Sequence, residues 1–162
     1  MNKANIMIAR DSDSCSIKVV GRATFECSSP IKNFADNIVS GVIKIITIDL
    51  KECTWMDSTF MGTLATLGIH AKKASIVVDI LNSSDKNIKL LRELGIYKLF
   101  FYDSVAPKTK SNAWEDITGN RLQKNKKIMA ETVLHAHETL MDVDKKNINK
   151  FKKVVELVKE DL

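Results

Sequence analysis

The sequence of 162 residues is long enough for one domain of ordinary size and an additional segment, and its 44% of apolar residues suffices for a packed core. The net charge of +5 comes from 25 basic and 20 acidic residues that are interspersed along the chain, so a nucleic acid, which calls for Lys and Arg clustered on one face, is not expected as the main partner. No stretch approaches the roughly 18 consecutive apolar residues needed to cross a bilayer, and the amino end lacks the apolar region of a signal peptide, so we expect a cytoplasmic protein without a membrane span.

The first elements predicted along the chain are two strands and a helix. Residues 6–9 and 16–24 alternate loosely and carry β-branched side chains, which is typical of strands. A cap followed by a first-turn proline, Ser28-Ser29-Pro30, then indicates the start of a helix. Its apolar positions at spacings of three and four, expected to be buried, are Ile31, Phe34, Ile38 and Val42.

Strands and helices continue to alternate over the next sixty residues. The β-branched run Ile43 to Leu50 predicts a central strand, and a helical period follows from Ser58 to Ala74. A second buried strand is expected over Ile76 to Leu81, followed by a helix over Lys86 to Leu94 that ends at a glycine. The apolar stretch Leu99 to Tyr102 is either a last short strand or a covering segment.

This alternation predicts an α/β domain over residues 1–103, with a mixed sheet of four to five strands and flanking helices. Residues 104–126 are polar and are interpreted as a linker that wraps the domain. Residues 127–162 show two helical apolar faces separated by Asp142 to Asp144, which predicts a helical αα-hairpin. Because these faces must be buried, we expect the hairpin to dock on the domain or to form a homodimer.

The segment from Ile48 to Leu64 carries a distinctive pattern. A buried strand ends in Asp-Leu, a short loop follows, and Asp-Ser then precedes small and aliphatic residues at the start of a helix. This pattern, in this order of elements, resembles the STAS family, and in particular the bacterial anti-sigma factor antagonists. The resemblance covers roughly residues 4–103, and the matching positions are Asp57, Ser58, Thr59, Met61, Gly62 and Leu64.

The resemblance implies a binding switch. It implies that Ser58, or alternatively Thr59, is phosphorylated by a GHKL-type serine kinase that is also the anti-sigma factor, and that a PP2C-type phosphatase acts in the same system. The unphosphorylated form would bind the anti-sigma factor and free a sigma factor. The implied partner-binding surface, called the Ser58 surface below, consists of Asp57, Ser58, Thr59, Phe60, Gly62 and Thr63. The competing hypothesis is a STAS module that is not phosphorylated and docks on a transporter ATPase or binds a small ligand.

Elementary chemistry supports the switch independently of the family. If Asp57 caps the helix, Ser58 occupies the first helical position with its hydroxyl outside the core. A phosphate there is stabilised by the free amides and the dipole of the helix start, yet its charge would expel a partner packed on this surface. Phe60 departs from the glycine common in the family: directed inward it is core, and directed outward it either anchors a partner or blocks the usual kinase.

Other candidate sites have weaker support. Asp49 ends a strand, as the phosphoaspartate of a receiver domain does, but the magnesium-binding acidic residues of a receiver have no counterpart here, so it is interpreted as ordering a loop. One helix face carries Glu131, His135, Glu138 and Asp142 at intervals that suit either a metal or surface ion pairs, and His137 lies off that face. Cys15, Cys27 and Cys53 predict neither a disulfide framework nor a zinc site. We therefore expect no cofactor, no metal and no enzymatic activity.

Overall fold

The computed structural model describes residues 4–38, 41–104, 113–119 and 125–162. Within these ranges seven strands and five α-helices follow one another, with short 3₁₀ turns at Phe25–Cys27 and Tyr97–Leu99. The strands are β1 (Asn5–Arg10), β2 (Ser14–Ala23), β3 (Ile45–Asp49), β4 (Cys53–Met56), β5 (Val77–Leu81), β6 (Phe101–Tyr102) and β7 (Glu115–Asp116). The helices are α1 (Ser28–Asp36), α2 (Ser58–Lys73), α3 (Asp85–Glu93), α4 (Lys126–Val143) and α5 (Lys146–Glu160).

The strands form one mixed sheet in the order β6-β5-β3-β2-β1-β7, with β4 paired to β2 beside this path. The pairs β2–β3, β3–β5 and β5–β6 are parallel, whereas β1 runs antiparallel to both β2 and β7. The predicted α/β fold with a mixed sheet and a carboxyl-terminal helical hairpin is confirmed. The sheet has seven strands, more than the four to five expected, because it also includes β4 and β7.

The extra strand β4 depends on a local irregularity in β2. The register between β2 and β4 shifts between Gly21 and Arg22, and Gly21 has a φ of 89°, which only glycine adopts readily. The bulge redirects the end of β2, so that it pairs with Cys53–Met56 instead of continuing along β3. Since β4 leads directly into α2, this bend places the start of α2 next to the end of β2.

The main core lies between the sheet and the helices packed on it. The strands contribute Ile17, Ile46, Ile48 and Ile80, all fully buried, as the β-branched runs predicted. From α2, Phe60, Leu64 and Leu67 are fully buried in the same core. The helix is therefore held firmly along its length, and its first turn is fixed relative to the sheet.

Helix α1 is shorter than its sequence pattern predicts. It ends at Asp36, where Asn37 donates from Nδ2 to the carbonyl of Asn33 at 2.7 Å and closes the last turn. Gly41 has a φ of 97°, outside the helical region, so the periodicity toward Val42 belongs to a turn. The expected burial of Val42 is wrong, since its side chain is 63% exposed.

The hairpin of α4 and α5 packs on the domain. Asn147, fully buried at the start of α5, donates from Nδ2 to the carbonyls of Leu94 at 2.9 Å and Leu140 at 2.8 Å, which joins the end of α3 to the hairpin. Of the expected linker 104–126, residues 105–112 and 120–124 lie outside the described residues. None of the described helices is long and apolar enough to cross a membrane.

Candidate functional site

Asp57 caps α2 and ties its first turn to the end of β2. Its Oδ1 accepts a hydrogen bond from the Phe60 amide at 2.8 Å, and its Oδ2 accepts one from the Phe25 amide at 2.8 Å. The backbone at Asp57 is extended, with φ −88° and ψ 174°, as a helix cap requires. Burial raises the pKa of the Asp57 carboxyl, and the two backbone amides act in the opposite direction. Ser58 therefore occupies the first helical position, as predicted.

The hydroxyl of Ser58 contacts the carboxyl-terminal hairpin. Ser58 Oγ lies 2.9 Å from Nε2 of His137, a residue of α4. Ser58 is half-buried, whereas His137 is only 4% exposed. The candidate switch residue thus lies at a contact between the domain and the hairpin.

The hydrogen bonds of His137 define which ring nitrogen carries the proton. Its Nδ1 lies 2.7 Å from the carbonyl oxygen of Val133, and because a carbonyl can only accept, Nδ1 is the donor. Burial lowers the pKa of His137, which favours the neutral ring, although the Asp57 carboxylate acts in the opposite direction. A neutral ring protonated at Nδ1 leaves Nε2 as an acceptor, so the Ser58 hydroxyl donates to it.

The imidazole is also held from the other side. The ring of Phe151, on α5, packs edge-on against His137 with 4.8 Å between centroids. Two helices of the hairpin therefore determine the position of the group that meets Ser58.

Helices α2 and α4 approach closely at a pair of small residues. A Cβ added at Gly62 would lie 2.8 Å from the Cβ of Ala136 and would also clash with the Ala136 carbonyl oxygen. Such an approach requires glycine on α2, because any side chain there would meet the main chain of α4. The helix α4 is thus seated directly on the second turn of α2.

Two hydroxyl pairs extend this contact along α4. Thr66 and Thr139 hydrogen-bond through their Oγ1 atoms at 3.1 Å, joining α2 to α4. The hydroxyl oxygens Ser29 Oγ and Thr132 Oγ1 lie 3.4 Å apart and join α1 to α4. The surface between α4 and the domain is therefore partly polar, with these two hydroxyl pairs across it.

The structure places the six residues of the Ser58 surface in three different environments. Asp57 and Ser58 are half-buried at the helix start. Thr59, Gly62 and Thr63 are buried, and Gly62 lies directly under α4. Phe60 is fully buried in the main core, so its side chain is directed inward and not toward a partner.

His137 is the contact residue of Ser58 that the sequence did not reveal, because it lies off the candidate metal face. On that face Glu138 lies 3.8 Å from Lys159, an ion pair between α4 and α5. Among the described residues no three His, Cys, Asp or Glu side chains are grouped closely enough to hold a metal ion. Asp49 accepts from the Lys51 amide at 2.9 Å and from Asn82 Nδ2 at 3.2 Å, the contacts of a loop-ordering residue.

The site thus consists of a mixed sheet with flanking helices, in which an Asp-capped helix follows a strand and begins with serine. The solved structure of the anti-sigma factor antagonist SpoIIAA in its unphosphorylated form is similar, with a TM-score of 0.53 and 15% identity over 60% of this chain and 86% of that chain. The STAS domain of a SulP transporter from Vibrio cholerae matches with a TM-score of 0.40 and 22% identity over 51% of this chain and 72% of that one. The first likeness shows that this chain has the STAS fold. No family model and no curated protein matches the sequence.

Proposed function

We propose that this chain is an anti-sigma factor antagonist controlled by phosphorylation. When Ser58 is unphosphorylated, the chain binds an anti-sigma factor that is also a GHKL-type serine kinase, and phosphate on Ser58 ends that binding. A PP2C-type phosphatase returns the chain to its binding form. The observation that carries the proposal is the position of Ser58: it is the first residue of an Asp-capped helix in a STAS fold, with its hydroxyl outside the core.

The geometry of this helix start suits phosphate chemistry. In the first turn of α2 the Phe60 amide is bonded to Asp57, and the first four amides of a helix have no partner within it. The helix dipole stabilises about −1.5 to −2 charges at Ser58 without unfolding α2. The same charge repels a partner that packs against a surface of hydroxyl and glycine residues.

Ser58 is a better acceptor than Thr59. Thr59 is 4% exposed and Thr63 Oγ1 donates to its carbonyl at 2.8 Å, so its side chain lies in the packed part of the helix. Ser58 is half-buried, and its hydroxyl contacts a side chain of the hairpin. We therefore assign phosphorylation to Ser58 and not to Thr59.

A pair made of serine and histidine also occurs in hydrolases, yet we propose that this chain binds and does not catalyse. In a nucleophile–base pair a third group orients the base so that it can accept and release a proton beside an accessible substrate. Here the Val133 carbonyl orients His137, but the residue is 4% exposed and its ring packs against Phe151, so little of it faces a substrate. The imidazole is thus a packing and hydrogen-bonding group.

The test is incubation of the full chain with the GHKL-type serine kinase encoded nearest to it and Mg-ATP, followed by intact-mass analysis. The wild type should gain about 80 Da, the mass of one phosphate group. Thr59→Ala should gain the same mass, and Ser58→Ala should gain none. A mass gain that persists in Ser58→Ala would show that another residue is the acceptor.

The alternative hypothesis of a transporter-docking or ligand-binding STAS module predicts a different result. In that case no kinase modifies the wild type, and the chain binds a transporter subunit equally well as wild type and as Ser58→Ala. That outcome would rule out the phosphorylation switch proposed above.

A further inference from the structure

The helix α4 occupies the surface that the proposed function assigns to the partner. Ala136 of α4 contacts Gly62, and His137 of α4 contacts Ser58. Gly62 and Ser58 both belong to the Ser58 surface. Two bodies cannot occupy this surface at once, because at Gly62 the main chain of α4 already lies within contact distance of the main chain of α2. A partner that packs on this part of α2 must first displace α4.

The hairpin contributes little to the main core of the domain, although Asn147 also bonds it to the end of α3. In the described part of the chain, α4 and α5 contribute one residue to the main buried core, Leu140. The other contacts include hydroxyl and imidazole groups, among them Ser58–His137, Thr66–Thr139 and Ser29–Thr132. Water can replace such hydrogen bonds when a surface separates, so polar contacts of this kind suit a reversible contact.

The hairpin also remains tethered when it leaves. Strand β7 is paired to β1 through Met7–Asp116 and Ile8–Glu115, and residues 117–125 alone separate β7 from α4. A short tether gives the tethered group an effective concentration in the millimolar range at its site. An external partner therefore competes against α4 at a high local concentration.

We propose that α4 is a built-in competitor for the Ser58 surface, so that the kinase and the anti-sigma partner reach α2 only when the hairpin moves away from Ser58 and Gly62. This inference rests on the proposed function for the identity of the partner. The displacement of α4 is a property of the chain alone, and it can be tested without any partner.

The first experiment uses hydrogen exchange on the full chain. Ala136→Leu places a larger side chain against Gly62 and should unseat α4. Amides of α4 and of the first two turns of α2 should then exchange at least about tenfold faster, while β3 and β5 keep their protection. Glu131→Leu adds the same side chain at an exposed position of the same helix and should leave exchange unchanged. If Ala136→Leu also exposes β3 and β5, the hairpin is an inseparable part of the fold and the proposal fails.

The second experiment locks the hairpin in place. In the Thr66→Cys, Thr139→Cys double variant the two sulfurs would replace hydroxyl oxygens that lie 3.1 Å apart, close enough for a disulfide after a small adjustment. The native thiols Cys15, Cys27 and Cys53 are buried and should not compete. The same molecule, oxidised and then reduced, provides the matched control.

Kinase treatment of the locked variant distinguishes the two proposals. If α4 is a competitor, the oxidised form should be phosphorylated at Ser58 at least about tenfold more slowly than the reduced form. Equal rates would contradict the proposal that α4 competes for the Ser58 surface, but they would not contradict phosphorylation of Ser58. If neither form is phosphorylated but Ala136→Leu frees α4 in hydrogen exchange, the proposed function fails and the displaceable hairpin stands.

Discussion

Ser58 and His137 are 79 positions apart in the chain, yet their side chains are joined by a hydrogen bond of 2.9 Å between Oγ and Nε2. One residue begins α2 and the other lies in the middle of α4, so the bond connects the candidate switch to the hairpin that covers it. A change in either side chain should therefore alter how firmly the hairpin is held.

Replacing His137 with alanine should weaken this attachment. The substitution removes the acceptor of the Ser58 hydroxyl and the ring that packs on Phe151. We expect the free energy of unfolding to fall by about 1–3 kcal/mol, measured by chemical denaturation. His135→Ala, at a half-buried position of the same helix, should change it by less than about 0.5 kcal/mol. Equal effects from the two variants would contradict the role assigned to His137.

Stability should depend on pH through the same residue. Because burial lowers the pKa of His137, the unfolded chain binds a proton more readily than the folded one. The stabilisation is therefore complete above the ordinary histidine pKa of about 6.5 and is lost as the pH falls below it. The raised pKa of Asp57 acts in the opposite direction at lower pH, where its carboxyl takes up a proton more readily in the folded state.

The measurement for this prediction is a denaturation series between about pH 5.5 and about pH 8. Wild type should lose stability toward the acidic end, and His137→Asn, which cannot titrate, should give a flatter profile. An identical slope in both proteins would place the titrating group elsewhere.

Two glycines of α2 should respond differently to alanine. At Gly62 the new Cβ would meet the main chain of Ala136, whereas at Gly68 it would lie 3.0 Å from one ring carbon of Phe100. Alanine gains up to about 1 kcal/mol of helix propensity at either position. At Gly68 we expect this gain to offset the contact with Phe100, so that the stability of Gly68→Ala is nearly unchanged. At Gly62 the clash should lower the stability of Gly62→Ala by about 1–3 kcal/mol in thermal or chemical denaturation. Stabilisation by Gly62→Ala would show that α4 is not seated on this turn.

The cap at Asp57 can be divided into its two hydrogen bonds. Asp57→Ala removes the acceptors of both the Phe60 and Phe25 amides and should cost about 1–2 kcal/mol of stability. Asp57→Asn keeps one oxygen acceptor and should fall between alanine and wild type in the same denaturation experiment. An asparagine variant as unstable as the alanine variant would contradict this expectation and mean that a single neutral oxygen does not stabilise the cap.

The three thiols should be unreactive in the folded protein. Burial raises the pKa of Cys15, Cys27 and Cys53 to about 11 each, so few thiolates exist at pH 8. Iodoacetamide should leave the native chain unmodified and should alkylate all three residues once denaturant is added, as intact mass would show. Rapid alkylation of the native chain would contradict the burial on which the disulfide lock depends.

Local signals in the sequence were sufficient for most elements of the domain. The β-branched run Ile43 to Leu50 contains β3, and the periodicity from Ser58 to Ala74 matches α2 to within one residue. Each of these elements is specified by its own side chains, which form a buried apolar face or cap the start of a helix. The strands β4 and β7 have only four and two residues, and they exist because β2 bends and β1 offers a partner, which no local pattern shows.

The candidate site was predictable only in part, for the same reason. Asp57 and Ser58 carry a local signature, since an acidic cap followed by serine at a helix start can be seen in consecutive residues. His137 has no such signature, because its role depends on a contact between distant segments. One signal was present: a glycine inside a helix, such as Gly62, commonly has a packing reason, and Ala136 supplies it.

The sheet ends at both margins in strands of two residues, β6 at Phe101–Tyr102 and β7 at Glu115–Asp116. Long exposed margins act as templates on which further chains add by backbone pairing, and margins this short give an incoming strand little to align with. Growth into fibrils by strand addition at these two margins is thus disfavoured. A binding partner would then find more to contact on the helical faces, where recognition depends on side chains and a single charge can alter it.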